Sequence, residues 1–150
     1  MTLENSKIRR IILVEHEGLR IALRAVEGLL DRAAQGDVAA LKEAHAQVQA
    51  LLESFTRHVE HEERLLRPVL QTIDAWGPAR VQSMDEEHAA QRAVVSALAA
   101  LDAISDPAGW VRQVRAFSAD LLRDMAEEEK TCLSPKVLRD DIVTVDADTE

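Results

Sequence analysis

Apolar residues recur along this chain in alternating steps of three and four, the period of helices that bury one face. The first stripe is Ile12, His16, Leu19, Leu23, Val26, Leu30 and Ala33, and it predicts a helix from about Ser6 to Gln35. Gly36 suits a left-handed stop and Asp37 an N-cap. So short a connection implies an antiparallel neighbour. The second stripe is Leu41, Ala44, Val48, Leu51, Phe55, His58, Glu62 and Leu65, predicting a helix from about Val38 to Arg67. Pro68 is expected to kink or stop it, with Val69 to Trp76 as a short extra piece. Gly77-Pro78 opens a third helix running to about Ile104, with Val81, Met84, His88, Val95, Leu98 and Leu101 inward. Asp106-Pro107 starts a fourth, to about Thr131, with Val111, Val114, Leu121, Leu122, Met125, Glu129 and Cys132 inward. Ser134-Pro135 opens a brief last turn. The expected fold is all-α, a single up-down-up-down four-helix bundle.

Composition agrees. Hydrophobic residues make up 47% of the 150, but aromatics only 3%, with Gly 5 and Pro 4. A chain rich in Ala, Leu, Val and Glu and poor in turn-formers reads as helical. The length suits one domain, with a core over about residues 10–140 and an acidic end, about 140–150, expected to fray. A net charge of -9 disfavours nonspecific attraction to nucleic acid or an anionic membrane. The apolar run Ile11 to Val14 is too short for a signal peptide or a membrane span. A lone Cys132 excludes an intrachain disulfide, and a soluble cytoplasmic protein is expected.

The chemistry sits inside the stripes. His58 and Glu62 are four apart and share a face. A carboxylate on a buried face is costly unless it is paired or binds a metal. One histidine on an apolar face is usually a structural residue. His16, His58, Glu62 and His88 at one depth in a bundle make a metal site of the di-iron carboxylate type instead. Neutral imidazole and carboxylate suit Fe, Mn or Zn. His45 and His61 lie one position off the stripe and are expected to face solvent. Of the runs Glu60 to Glu63 and Glu127 to Glu129, only Glu62 and Glu129 are expected inward. Arg20 and Arg92, one turn after a histidine, read as surface residues, and Cys132 as core filler.

The chain is also faintly doubled. Glu15-His16 through Arg20 resembles Glu87-His88 through Arg92, and His58 through Pro68 aligns without a gap on Met125 through Pro135. No nucleophile-base pair or phosphate-cradling loop is visible, which leaves hydrolase and transferase chemistry without support.

His16, then His58-xxx-Glu62-Glu63-xx-Leu66-x-Pro68, then His88, then a second glutamate-containing copy ending at Pro135, resembles the hemerythrin-like, or HHE cation-binding, domain over about residues 10–140. The resemblance implies a four-helix bundle with a non-haem di-iron centre that binds, senses or detoxifies oxygen, peroxide or nitric oxide. It implies His16, His58, Glu62, His88 and Glu129 as metal ligands, with the two glutamates as bridges. The chain departs from the pattern at Met125, where the family has a further histidine, because a thioether is a poor ligand for hard iron. That leaves a mononuclear site, an asymmetric pair completed by water, Asp124 or Glu128, or a metal-free bundle acting as an interaction module.

Overall fold

The computed structural model describes residues 3–140. The acidic end assigned to about 140–150 therefore lies, beyond Asp140, outside the described residues. The described residues form helices α1 (Asn5–Ala34), α2 (Val38–His61), α3 (Arg67–Ile73), α4 (Gly77–Ala100) and α5 (Pro107–Lys130), with no strand among them. A π-helical segment, Glu62–Leu66, joins α2 to α3 with right-handed helical backbone at both junctions. The second rod of the bundle thus runs from Val38 to Ile73. α1 packs on that rod and on α5, and α4 packs on the rod and on α5, closing a four-helix bundle.

The punctuation is local chemistry. Gly36 takes the positive φ of 93° that ends α1. The Asp37 carboxylate accepts from the Ala40 amide, and Asp106 does the same for Gly109 ahead of Pro107. Gly77 is required by contact. A Cβ there would run into the Leu70 carbonyl and lie 2.7 Å from that of Gln71.

Pro68 does not stop the second rod, which continues to Ile73. The π segment ends just before it, where the missing N–H and the ring would otherwise interrupt an α ladder. The Arg67 amide donates to the Glu62 carbonyl, five residues back. The extra residue in this wide turn also shifts the buried face, so Leu66 is fully enclosed and Leu65 only partly. The third helix ends at Ala100, four residues before Ile104, which is 90% exposed. In α5, Leu122 faces outward and Trp110 and Phe117 are buried instead.

The interior has three layers. An apolar cluster including Leu23, Val48, Phe55, Phe117 and Met125 fills one end. A second, including Ile12, Leu66, Leu70, Met84 and Leu133, fills the other. Between them each rod contributes polar side chains: His16 follows Ile12, His58 and Glu62 precede Leu66, His88 follows Met84, and Glu128 lies between Met125 and Leu133. The chain after α5 closes the near end, where Arg9 Nε donates to the Leu133 carbonyl at 2.7 Å and the Ser6 amide to Asp140 at 2.9 Å.

Candidate metal centre

Glu62 is the middle of the polar layer, and its side chain is 3% exposed. Its Oε1 meets His58 Nε2 and lies 3.8 Å from His16 Nε2. Its Oε2 lies 3.1 Å from His88 Nε2. One carboxylate thus gathers imidazoles from three rods. An unpaired buried carboxylate would cost about 3–5 kcal/mol, and three histidines around it remove that cost.

Glu128 completes the group from α5. Its Oε1 lies within ion-pair distance of His16 Nε2, at 3.3 Å, yet both atoms are buried and neither has a hydrogen-bond partner among the described residues. Donor atoms of His16, His58, Glu62 and Glu128 all lie within 4.8 Å of one another. Two buried polar atoms that face each other unsatisfied, in a set of imidazole nitrogens and carboxylate oxygens, are what a shared hard or borderline cation would complete.

Each histidine is also held from outside through Nδ1. His16 Nδ1 is 2.8 Å from Glu129, which Arg20 grips at 2.6 Å. His88 Nδ1 is 3.1 Å from Glu63, which Arg92 grips at 2.6 Å. His58 Nδ1 is 2.9 Å from Glu15, whose other oxygen is 2.6 Å from His61 Nδ1. A carboxylate on Nδ1 fixes the tautomer and leaves Nε2 free to bind a cation.

The charges follow this arrangement. Burial pulls the His16 pKa down, but Glu128 and Glu62 outweigh it and raise it to about 10. His58 and His88 are raised in the same way, chiefly by Glu62 working against burial. Burial pushes Glu62 up, and the three histidines bring it well below the usual carboxylate range. Glu128 goes the other way, to about 7, through burial and the charge of Glu62. Glu87 is likewise raised to about 7, by burial, Asp124 and Glu62.

The structure brings His16, His58 and Glu62 into one group. His88 joins through Glu62 Oε2, on the far side of that carboxylate. In α5 the inward residue is Glu128, whose side chain is 12% exposed, and not Glu129, which is 27% exposed and braces His16. The stripe read through Met125, Glu129 and Cys132 and the alignment of the two halves both pointed to Glu129. Matching Pro68 to Pro135 pairs Glu62 with Glu129, but Pro68 sits inside a continuous rod while Pro135 lies beyond the end of α5. The structural match is Glu62 with Glu128 and Glu63 with Glu129, one inner and one outer glutamate on each rod. Asp124 then corresponds to His58, and its carboxylate accepts from Gln91 Nε2 at 3.2 Å. Met125 is 2% exposed, in the apolar cluster.

Sequence reasoning passed over Glu15, kept Glu128 only as one way to complete an asymmetric pair, and read Glu63 and the bracing arginines as surface residues. A signal for the last was present, because both halves place an arginine one turn after a histidine. His61 is more than a surface residue, since it holds Glu15. His45 is half-buried against Trp110, with ring centroids 5.7 Å apart. Cys132 borders the second apolar cluster, and burial with the nearby Glu128 charge keeps its thiol protonated.

A family profile described as the hemerythrin HHE cation binding domain matches residues 7–134. Comparison with curated proteins and with solved structures gives no match.

Proposed function

The chain belongs to the hemerythrin HHE cation-binding domain family, and from that premise we propose that its polar layer holds non-haem iron and serves to bind, sense or detoxify a small molecule such as oxygen, peroxide or nitric oxide. The observation that carries this reading is the convergence of His16, His58, Glu62 and Glu128 within 4.8 Å, with two of the facing buried atoms lacking a hydrogen-bond partner among the described residues. This donor set fits the ion. Borderline nitrogen and hard oxygen ligands in a mixed set are those that Fe, Mn and Zn accept.

A bound iron would supply redox chemistry and an open coordination position. The chain's own residues do the rest. Glu15, Glu63 and Glu129 keep the histidines oriented with Nε2 inward. The apolar clusters on either side keep bulk water from the layer. His88 and Glu62 Oε2 offer the start of a second ion position, which Asp124 would complete in place of a histidine. The centre is accordingly asymmetric, with one position preassembled and one loose.

None of the helices among the described residues is long and apolar enough to cross a membrane. Together with the single half-buried cysteine, this supports our placement of the protein in the cytoplasm. The test of the iron assignment is elemental analysis and an optical spectrum of protein produced with iron supplied. Iron at one or more per chain, with a ligand-to-metal absorption band, is expected. Stoichiometric zinc without such a band would replace iron in this reading.

A further inference from the structure

The polar layer is enclosed by apolar clusters along the bundle axis, so a hydrated ion must reach it from the side. Among the described residues, lateral clefts on either side are lined by residues of the metal-capable group. The one between α1 and the second rod, about 320 Å³, is lined by Glu15, His58 and His61. It meets His58 on its Nδ1 side, which Glu15 already occupies. The other lies between α4 and α5, is about 490 Å³, and is lined by Met84, Glu87, Asp124, Glu127, Glu128 and Cys132. Glu128 belongs to both the cleft and the metal-capable group, and its Oε1 is buried, without a hydrogen-bond partner among the described residues, and 3.3 Å from His16 Nε2. Arg80 also lines this cleft, but its guanidinium is committed to Asp74 at 2.6 Å.

Resting on the metal reading above, we infer that the α4–α5 cleft is the loading route for a hydrated divalent cation, its carboxylates drawing the ion inward to Glu128 and repelling small anions. A cleft lined by one sign of charge between low-dielectric walls focuses the field and raises the local concentration of the opposite ion. Glu127 and Asp124 stand one helical turn or less from Glu128 on α5, and Glu87 faces them from α4. An ion can pass among carboxylates without full dehydration until it meets the imidazoles.

The test is the rate of Co2+ uptake by metal-free protein, followed by stopped-flow absorbance, in wild type, Ser83→Lys, Glu127→Gln and Ala46→Lys. Ser83 is an exposed residue lining the cleft, so lysine there puts a cation in the route with little demand on folding. Ala46 is exposed on α2, away from the cleft, and its lysine makes the same change in net charge. At low salt Ser83→Lys should load about tenfold more slowly than wild type, within the range such fields produce. Glu127→Gln should slow loading in the same direction, and Ala46→Lys should match wild type. The differences should shrink at high salt, and all four should reach the same final stoichiometry. Wild-type rates in Ser83→Lys and Glu127→Gln, or equal slowing in Ala46→Lys, would overturn the route while leaving the metal site standing. Absence of Co2+ uptake in wild type would overturn both.

Discussion

His16 Nε2 and Glu128 Oε1 face each other at 3.3 Å inside the bundle, buried, and neither finds a hydrogen-bond partner among the described residues. One residue along, Glu129 reaches the same histidine from outside, at Nδ1, with Arg20 behind it. Adjacent glutamates on one helix turn, about 100° apart around the axis, therefore serve one imidazole in different ways.

This separation can be measured. Glu128→Ala removes an inner oxygen and should reduce metal content to a small fraction of wild type. Glu129→Ala, Glu15→Ala and Glu63→Ala each remove only an outer brace and should weaken affinity by about 10–100-fold, the usual effect of losing such a partner. Titration of the metal-free proteins with Fe2+ or Co2+ checks both. Equal loss in Glu128→Ala and Glu129→Ala would contradict the division of labour.

The second ion position turns on Asp124. It stands four residues before Glu128, as His58 stands before Glu62, whereas Met125 is enclosed by apolar neighbours. Asp124→His should tighten the second ion and raise stoichiometry toward two per chain. Met125→His should add no ion and should lower the melting temperature, because a polar ring in an apolar cluster costs about 1–3 kcal/mol. Metal counts and melting curves of the two variants decide between the positions.

Acidity should change what metal does for stability. In metal-free protein, the raised His16 pKa contributes stability that is fully present below 6.5 and is lost as pH rises toward about 10. The raised Glu128 pKa adds a cost that is absent below 4.5 and complete above about 7. Metal-free protein should thus lose stability from mildly acidic to alkaline pH. Metal requires both groups deprotonated, so its stabilisation should grow over the same interval. At a free metal concentration of about 100 Kd it amounts to about 2.7 kcal/mol. For a domain of this size that is a rise of about 5–10 °C. Melting curves with and without chelator across this range test the sign, and a metal-induced shift that is largest at acid pH would contradict it.

How far the sequence disclosed this centre depended on which residues were periodic. Alternating steps of three and four placed His16, His58, Glu62 and His88 inward, because a buried stripe constrains every residue in it. In α5 the stripe read through Met125, Glu129 and Cys132 and the alignment to the second rod both pointed to Glu129, and the two prolines that anchored the alignment occupy different contexts. The register slipped by one, and Glu129 took the place of Glu128. The π segment was illegible for a related reason. A wide turn at Glu62–Leu66 adds a residue to the rod without leaving a distinctive composition. Glu15 and Glu63 were hidden because they come from half-buried faces, where a glutamate next to a histidine looks like an ordinary solvated charge.

Metal content decides whether the layer around Glu62 is a cation site. Wild type and Glu62→Ala should be produced with iron supplied, desalted and analysed by elemental analysis. The structure predicts at least one iron per chain in wild type and little or none in Glu62→Ala, which loses the carboxylate that three histidines share. A wild-type protein that is folded, colourless and free of metal would contradict the account and leave the His–Glu layer as a self-paired structural network.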